Sequence, residues 1–407
     1  MLKKTRYAWI VVALLWVVWL LNYLDRQVVF SMFPLLKTDL HLTDLQLGLL
    51  GTSFLWVYAF ASPFSGYAAD RYGRKRIIVG SLLVWSAVTW LTGLARNLPE
   101  LLGTRALMGI SEACYLPAGL ALIAAYHGPS TRSRATGIHY SGSYLGTVLG
   151  GVAGGWFGEH YGWRYVFAAL GIVGVVYSAV LAISLRDRSA SVEKGDEAPP
   201  PLGAALAELF RLPAFPILVL VFGAVSIGDW MIYTWMPAYL YERFHMSLGE
   251  AGFSATFYLR AGAVLGILAG GWLADAWGAR NPRGRIFTQA IGLIAAGPFL
   301  FLSGATASTP FLLAGLAVYG FGKGSYDCNN MPVLCQISRP CLRSTGFGIY
   351  NFAGCLAGGG IAAVAGALKS TLGLAGAIQI AGGIVFVAGL VLARTRLGAA
   401  SRPGDRN

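Results

Sequence analysis

Residues 66–76 read Gly66-Tyr-Ala-Ala-Asp70-Arg71-Tyr-Gly73-Arg74-Lys75-Arg76 and lie between two long apolar runs. The stretch returns 205 residues later as Gly271-Trp-Leu-Ala-Asp275-Ala-Trp-Gly278. Two further pairs follow in the same order. Gly109-x-x-Glu112-x-x-x-x-Pro117 recurs as Gly324-x-x-Asp327-x-x-x-x-Pro332, and Arg134-Ala-Thr-Gly137 recurs as Arg343-Ser-Thr-Gly346. Three ordered matches at similar offsets mark an internal repeat. Two parallel halves of membrane helices are an architecture of secondary transporters.

The composition fits a chain that lives in lipid. Of 407 residues, 56% are hydrophobic and 12% are charged, with a mean hydropathy of +0.60. A soluble globular protein carries roughly 25% charged residues, so this chain cannot cover a water-facing surface. Disorder requires the opposite balance, low hydrophobicity with high net charge. The net charge of +13 would suggest nucleic-acid binding in a soluble protein. Here the cations cluster at alternate ends of apolar runs, an orientation signal for membrane insertion. Cys114, Cys328, Cys335, Cys341 and Cys355 contain no Cys-x-x-Cys spacing, and their odd number points to free thiols. The first apolar run, from near Tyr7 to Phe33, is too long for a cleavable signal.

A helix needs about 20 apolar residues to cross the hydrocarbon core. Twelve runs qualify: 8–33, 45–69, 77–95, 99–127, 134–157, 163–185, 213–241, 248–274, 286–304, 310–336, 344–368 and 372–393. Their apolar residues surround the run rather than alternate, which excludes β-barrel strands. On the side shared with the termini, the loops and ends hold 22 cations. The opposite loops hold five: Lys37, Arg96, Arg164, Arg243 and Lys369. This asymmetry puts both termini in the cytoplasm. The expected fold is an all-α polytopic membrane protein with twelve transmembrane helices in two pseudo-symmetric six-helix bundles, 1–185 and 213–396. A charged, proline-rich cytoplasmic linker at 186–212 joins them, and 397–407 forms a cytoplasmic tail.

The stretch at 66–76 resembles the signature loop of the major facilitator superfamily at every position. Asn22-Tyr23-Leu-Asp25-Arg26, Thr104-Arg105-x-x-x-Gly109-x-x-Glu112-Ala113, Arg132-Ser-Arg134-Ala-Thr-Gly137 and Gly162-Trp163-Arg164 resemble its anion:cation symporter branch and the neighbouring Spinster-like branch. Gly324-Ser-Tyr-Asp327-Cys-Asn329-Asn330-Met-Pro332 resembles, more loosely, bacterial sugar and sugar-acid permeases. The second signature loop departs from the first, with Ala276 where Arg71 stands. The resemblance implies a secondary active transporter of the bacterial cell (inner) membrane. It would work by alternating access and couple proton entry to uptake of a small organic anion such as a sugar acid. The resemblance also implies a conformational gate of Gly66, Asp70, Arg71, Gly73, Arg74 and Arg134, in which Asp70 joins the halves when the cavity opens outward. Asp70 could accept from backbone N–H groups near Ser344 to Gly346, where a helix N-terminus favours a carboxylate.

Ionisable residues at membrane depth are costly and ordinarily face a partner or a water-filled cavity. Eight fall well inside spans: Asp25, Arg26, Arg105, Glu112, Asp229, Arg260, Lys323 and Asp327. Asp25 and Arg26 point about 100° apart on one helix. Arg105 and Glu112, seven residues apart, share a face of the fourth span, and Asp25 lies at a depth near Arg105. Glu112 is the leading proton-carrier candidate, with Asp25 and Asp327 beside it. The alternatives are a permanent ion pair for Glu112 and neutralisation of Asp25 by Arg26 or Arg105. Guanidinium groups bind carboxylates bidentately, so Arg26, Arg105 and Arg260 are candidate anion receivers. For Arg260 the alternative is a pair with Asp229. Lys323 and Asp327 share a helix face. Tyr23, Tyr115, Tyr144, Asp229, Lys323, Asn329 and Asn330 complete the candidate substrate-binding set. Trp16 and Trp19 could simply face lipid.

No histidine spacing suits a metal and no phosphate-binding loop is present. With no nucleophile elbow either, the chain reads as neither an enzyme nor an ATP-driven exporter, and it calls for no cofactor. Its expected partners are a small-molecule substrate, protons and the bilayer, with no nucleic acid, and it is expected to be a monomer. Two other functions stay open. Spinster-like relatives move lysolipids or sphingolipids and share the Asn-Tyr-x-Asp-Arg and Gly-x-x-Glu-Ala elements. A non-transporting receptor on a transporter scaffold is the other, with no appended signalling domain in this sequence to favour it.

Overall fold

A computed structural model describes residues 2–127, 129–186, 200–339 and 342–396, without the side chains of 2–5, 63, 65–72, 129–130, 132–134 and 344. Within each described stretch, helices follow one another with short connections, and no strand occurs among the described residues. In order they are α1 (Leu2–Ser31), α2 (Phe33–Asp39), α3 (Asp44–Tyr72), α4 (Arg74–Thr92), α5 (Leu98–Ala113), α6 (Tyr115–Tyr126) and α7 (Pro129–Val152). A π-helical turn (Ala153–Phe157) leads into α8 (Gly158–Tyr161) and α9 (Trp163–Ser184). Beyond it lie α10 (Leu202–Arg211), α11 (Ala214–Phe244), α12 (Leu248–Gly278), α13 (Gly284–Ala305), α14 (Thr309–Asp327), α15 (Asn330–Ile337) and α16 (Arg343–Arg394).

Eight helical stretches among the described residues are long and apolar enough to cross a membrane. One of them holds two of the expected spans. The 52 residues of α16 would reach about 78 Å at 1.5 Å per residue, more than twice the hydrocarbon thickness of about 30 Å. Gly373 breaks this helix with φ 66° and ψ 167°, a backbone conformation open chiefly to glycine. Gly73 and Gly162, with φ 88° and 83°, stand at the α3–α4 and α8–α9 junctions. The third, fifth and tenth runs are helical too, but more polar. Helix α4 begins with Arg74–Arg76, α7 is rich in serine, threonine and glycine, and α14 carries Lys323 and Asp327.

The fourth and tenth runs differ from the continuous helices expected. The fourth breaks at Cys114, whose N–H turns to Ser111 O, and the tenth breaks at Cys328 and Asn329. The cause lies three residues beyond Cys114 and three beyond Asn329. Pro117 and Pro332 lack an N–H, and their rings crowd the carbonyls of Ala113 and Cys328.

The chain forms two compact units. Unit 1 comprises Met1–Val192, Tyr233–Thr256 and Ala362–Ala367, and unit 2 comprises Glu193–Ile232, Phe257–Ile361 and Leu368–Asn407. A glycine seam organises unit 1. Gly142, Gly146 and Gly150 on α7, and Gly154 in the π-helical turn that follows it, stand over the carbonyls of Trp16, Leu20, Leu24 and Val28 on α1. A Cβ at these glycines would lie only 2.8, 2.2, 2.6 and 2.5 Å from those oxygens. Small residues four apart let helix backbones meet without side chains between them. Unit 2 uses the same device reciprocally. Gly320 and Gly324 on α14 stand over Leu259 and Ala263 carbonyls, while Gly262 and Gly266 on α12 stand over Ala317 and Phe321 carbonyls. At the end of α2, Asp39 accepts from Arg164 and Trp163, which holds that carboxyl below its usual range.

Candidate functional site

Unit 1 buries a charged cluster between α1, α3, α4 and α5. Arg26 Nε donates to Glu112 Oε2 at 2.6 Å, and both side chains are essentially closed to solvent. The Arg26 guanidinium lies 5.0, 4.9 and 4.8 Å from the ring centres of Tyr23, Phe54 and Tyr58. Arg105 lies 4.8 Å from the Phe54 ring centre. Phe54 therefore serves both guanidiniums, and aromatic faces stabilise cations where water is absent. Arg105 gives one N–H to Met108 Sδ, while its Nε and Nη2 have no hydrogen-bond acceptor. Glu112 Oε1 and Arg26 Nη2 are likewise buried and without hydrogen bonds. Asp25 turns to the other side of α1, where Thr89 Oγ1 donates to it at 3.4 Å. It remains within electrostatic reach of Arg105 and Glu112. A second layer follows on α1. Tyr115 donates to Leu15 O at 2.8 Å and meets His139 Nε2 at 2.9 Å. Trp19 stacks on both rings.

Unit 2 holds a more open cluster on α11, α12 and α14. Lys323 bonds Asp327 one turn on and reaches Asp229 Oδ2 at 3.6 Å. Arg260 on α12 lies within electrostatic reach of Asp327 and Lys323. Asn329 donates to Ser325 O at 3.0 Å, and Asn330 accepts from Gln289 at 2.9 Å. Both asparagines thus secure the break between α14 and α15. Tyr23 and Tyr144 are half-buried. No group of three histidine, cysteine or acidic side chains able to hold a metal occurs among the described residues.

Two of the expected gate residues can be followed. Gly73 makes the α3–α4 turn, and Arg74 donates to Ala121 O at 3.0 Å. The side chains of Gly66, Asp70, Arg71 and Arg134 lie outside the described residues.

These broken helices and paired charges occur in a chain with strong relatives. The family model described as Major Facilitator Superfamily matches residues 15–363. The chain belongs to the major facilitator superfamily. Within the superfamily, an MFS-type efflux pump of Mycolicibacterium smegmatis is 30% identical over 279 residues, 68% of this chain and 65% of the pump. The D-galactonate transporter of Escherichia coli is 25% identical over 415 residues, 95% of each. Three of the curated relatives are matched over only 60–65% of their own length. A bacterial homologue of the human lysosomal transporter Spinster, solved inward-facing and occupied, aligns with a TM-score of 0.83. The alignment covers 98% of this chain and 99% of that one at 21% identity, a likeness of fold.

In this superfamily member several site residues carry no signal that a search for charges detects. Phe54 and Thr89 are ordinary membrane-helix residues by type. Trp19, taken as a candidate lipid-facing ring, is 2% exposed and sits in the core of unit 1. Lipid and protein core are equally apolar, so composition cannot separate them. His139 stands in a run that offered no metal spacing, yet it is fully buried against Tyr115.

Proposed function

We propose that this chain is a secondary active transporter, coupling proton entry to uptake of a small organic anion of the sugar-acid class by alternating access. The observation that carries this reading is the buried Arg26–Glu112 pair beside Arg105. A proton on Glu112 cancels the charge that holds Arg26. The freed guanidinium, together with the unused N–H groups of Arg105, then receives a carboxylate. Loss of that proton to the cytoplasm re-forms the pair and expels the anion. Asp25 lies near enough to adjust the balance. The name of the D-galactonate transporter, aligned over 95% of both chains, supports the substrate class. In this reading the halves 1–185 and 213–396 alternate about the 186–212 linker, and Asp70 latches the cytoplasmic side. The chain works as a monomer in the cytoplasmic membrane with both termini inside.

The test is uptake of labelled D-galactonate and related sugar acids into proteoliposomes under an inward proton gradient. Uphill accumulation supports the reading, and a gradient that moves none of them removes it. Arg105→Lys keeps the charge but loses the planar fork. It is expected to weaken D-galactonate binding about tenfold, roughly 1.4 kcal/mol, in a calorimetric titration. Unchanged affinity would take Arg105 out of the anion contact.

A second reading, transport of lysolipids, has one observation in its favour. Leu220, Val221, Ala224, Ile380, Ile384 and Val387 line an apolar groove of about 480 Å³ in unit 2. Transport of a labelled lysophospholipid in the same vesicles, with sugar acids inert, would select it.

A further inference from the structure

Arg26 is held by more than its carboxylate. Its guanidinium carbon lies 5.0 Å from the ring centre of Tyr23, 4.9 Å from that of Phe54 and 4.8 Å from that of Tyr58. Two helices supply this seat. Tyr23 comes from α1 itself, while Phe54 and Tyr58 stand one turn apart on α3. Phe54 and Tyr58 are buried, so bulk water does not reach the cation between them. Phe54 also serves a second cation, since Arg105 lies 4.8 Å from the same ring centre. Arg26 Nη2, Arg105 Nε and Arg105 Nη2 are buried without a hydrogen bond. The other ionisable groups facing the cluster are Asp25 from α1 and Tyr233 from α11. Helix α4 faces Asp25 with the uncharged Trp85 and Thr89.

We infer that Phe54, with Tyr23 and Tyr58 beside it, is the positioning residue that holds the Arg26 charge while Glu112 carries the proton and before the anion arrives. This rests on the reading above that protonation of Glu112 releases Arg26. A proton that joins the Glu112 carboxylate removes its negative charge, and the N–H of Arg26 Nε loses its ionic acceptor. The cluster then carries one more positive charge than before, in a place closed to water. An uncompensated charge there is costly. Solvent cannot lower that cost, and the substrate is not yet present. Aromatic faces can, because the ring quadrupole is negative over the face and attracts a cation most strongly where the cation is desolvated. The rings contribute less while Glu112 is ionised, since its carboxylate already cancels the guanidinium charge. The seat therefore favours the protonated, substrate-free state over the ionised one. It also keeps the released guanidinium beside Arg105, because Phe54 faces both. The anion then meets two guanidiniums already in place, which lowers the ordering cost of binding.

The test follows Glu112 in the purified full chain without substrate. Phe54 is replaced by phenylalanine carrying one, two or three ring fluorines, which draw electron density from the ring face and change its shape little. Glu112 is titrated by infrared difference spectroscopy, its protonated carboxyl band being the one that Glu112→Gln removes. Weaker rings destabilise the state with the bare guanidinium, which is the protonated state, so Glu112 gives up its proton at lower pH. The midpoint is expected to fall with each added fluorine, by about one pH unit over the series. Phe54→Leu, which drops the ring, should fall at least as far. The same fluorines at Phe167, buried in unit 1 against Trp163, should leave the midpoint unmoved. A packing role for Phe54 predicts no dependence on the number of fluorines. A midpoint that stays constant across the Phe54 series overturns the inference and leaves Glu112 as the proton carrier. An equal fall in the Phe167 series overturns it too. If no carboxyl band depends on Glu112 at any pH, the proton-carrier reading falls and takes this inference with it.

Discussion

Glu112→Gln is expected to cut the accumulation of D-galactonate driven by a two-unit pH gradient about a hundredfold, with membrane potential clamped at zero. Each coupled proton contributes about 1.4 kcal/mol per pH unit, which is tenfold in concentration ratio per unit. Gln keeps the length of Glu112 and still offers an oxygen to Arg26, but it carries no proton that can be exchanged between the two sides. It therefore imitates the protonated state permanently. Arg26 and Arg105 keep their seats over Phe54, so the anion site survives and substrate exchange across the membrane should continue. The decisive comparison is net uphill uptake against counterflow in the same vesicles. If Glu112→Gln accumulates substrate as far as the wild type, Glu112 carries no coupled proton. Loss of both activities together would mean that the Arg26–Glu112 pair is structural.

The second large effect is on folding. Gly146→Val should prevent recovery of a folded, monodisperse protein. A Cβ at this position falls 2.2 Å from Leu20 O and 3.0 Å from Leu20 C. Those are backbone atoms in the middle of α1, with no rotamer to escape into. Valine adds two methyl groups beyond the Cβ, so α7 must lift off α1 and open the neighbouring contacts at Gly142, Gly150 and Gly154. Overpacking in a dense core costs about 1–3 kcal/mol and sometimes more, out of a total stability of roughly 5–15 kcal/mol. Gly80→Val is the control, because a Cβ at Gly80 meets nothing within 4 Å. Size-exclusion profiles and thermal unfolding of the two variants check the claim. A Gly146→Val protein that melts with the wild type would show that the seam does not set the α1–α7 distance.

Much of this molecule can be read from one dimension because lipid imposes so narrow a choice of structure. The twelve apolar runs fall on helices, and Gly73, one of the expected gate residues, makes the turn between α3 and α4. The positions of Glu112 and Asp327 in the repeat were visible too. Their setting at helix breaks was not, although the prolines after them carried the signal. Partnerships were harder. Depth and helix rotation left Asp25 between Arg26 and Arg105, and only the packed helices show Arg26 going to Glu112, 86 residues away in sequence. Asn329 and Asn330 were read as ligand groups, and the structure adds that each also holds its own chain, Asn329 by donating to Ser325 O and Asn330 by accepting from Gln289. An amide's sequence position says nothing about which partner will claim it.

The glycine seam also divides this protein's glycines for anyone who wishes to make it sturdier for purification. Replacing a helical glycine with alanine removes conformational freedom from the unfolded chain and contributes about 0.4–1 kcal/mol where the site has room. Along the α1–α7 contact there is no room, and a consensus-style substitution there would spoil the protein it was meant to protect. Gly80, Gly103, Gly360 and Gly383 stand in helices with open space where a methyl group would go. A thermostabilised variant should be assembled from those four, with the seam left bare.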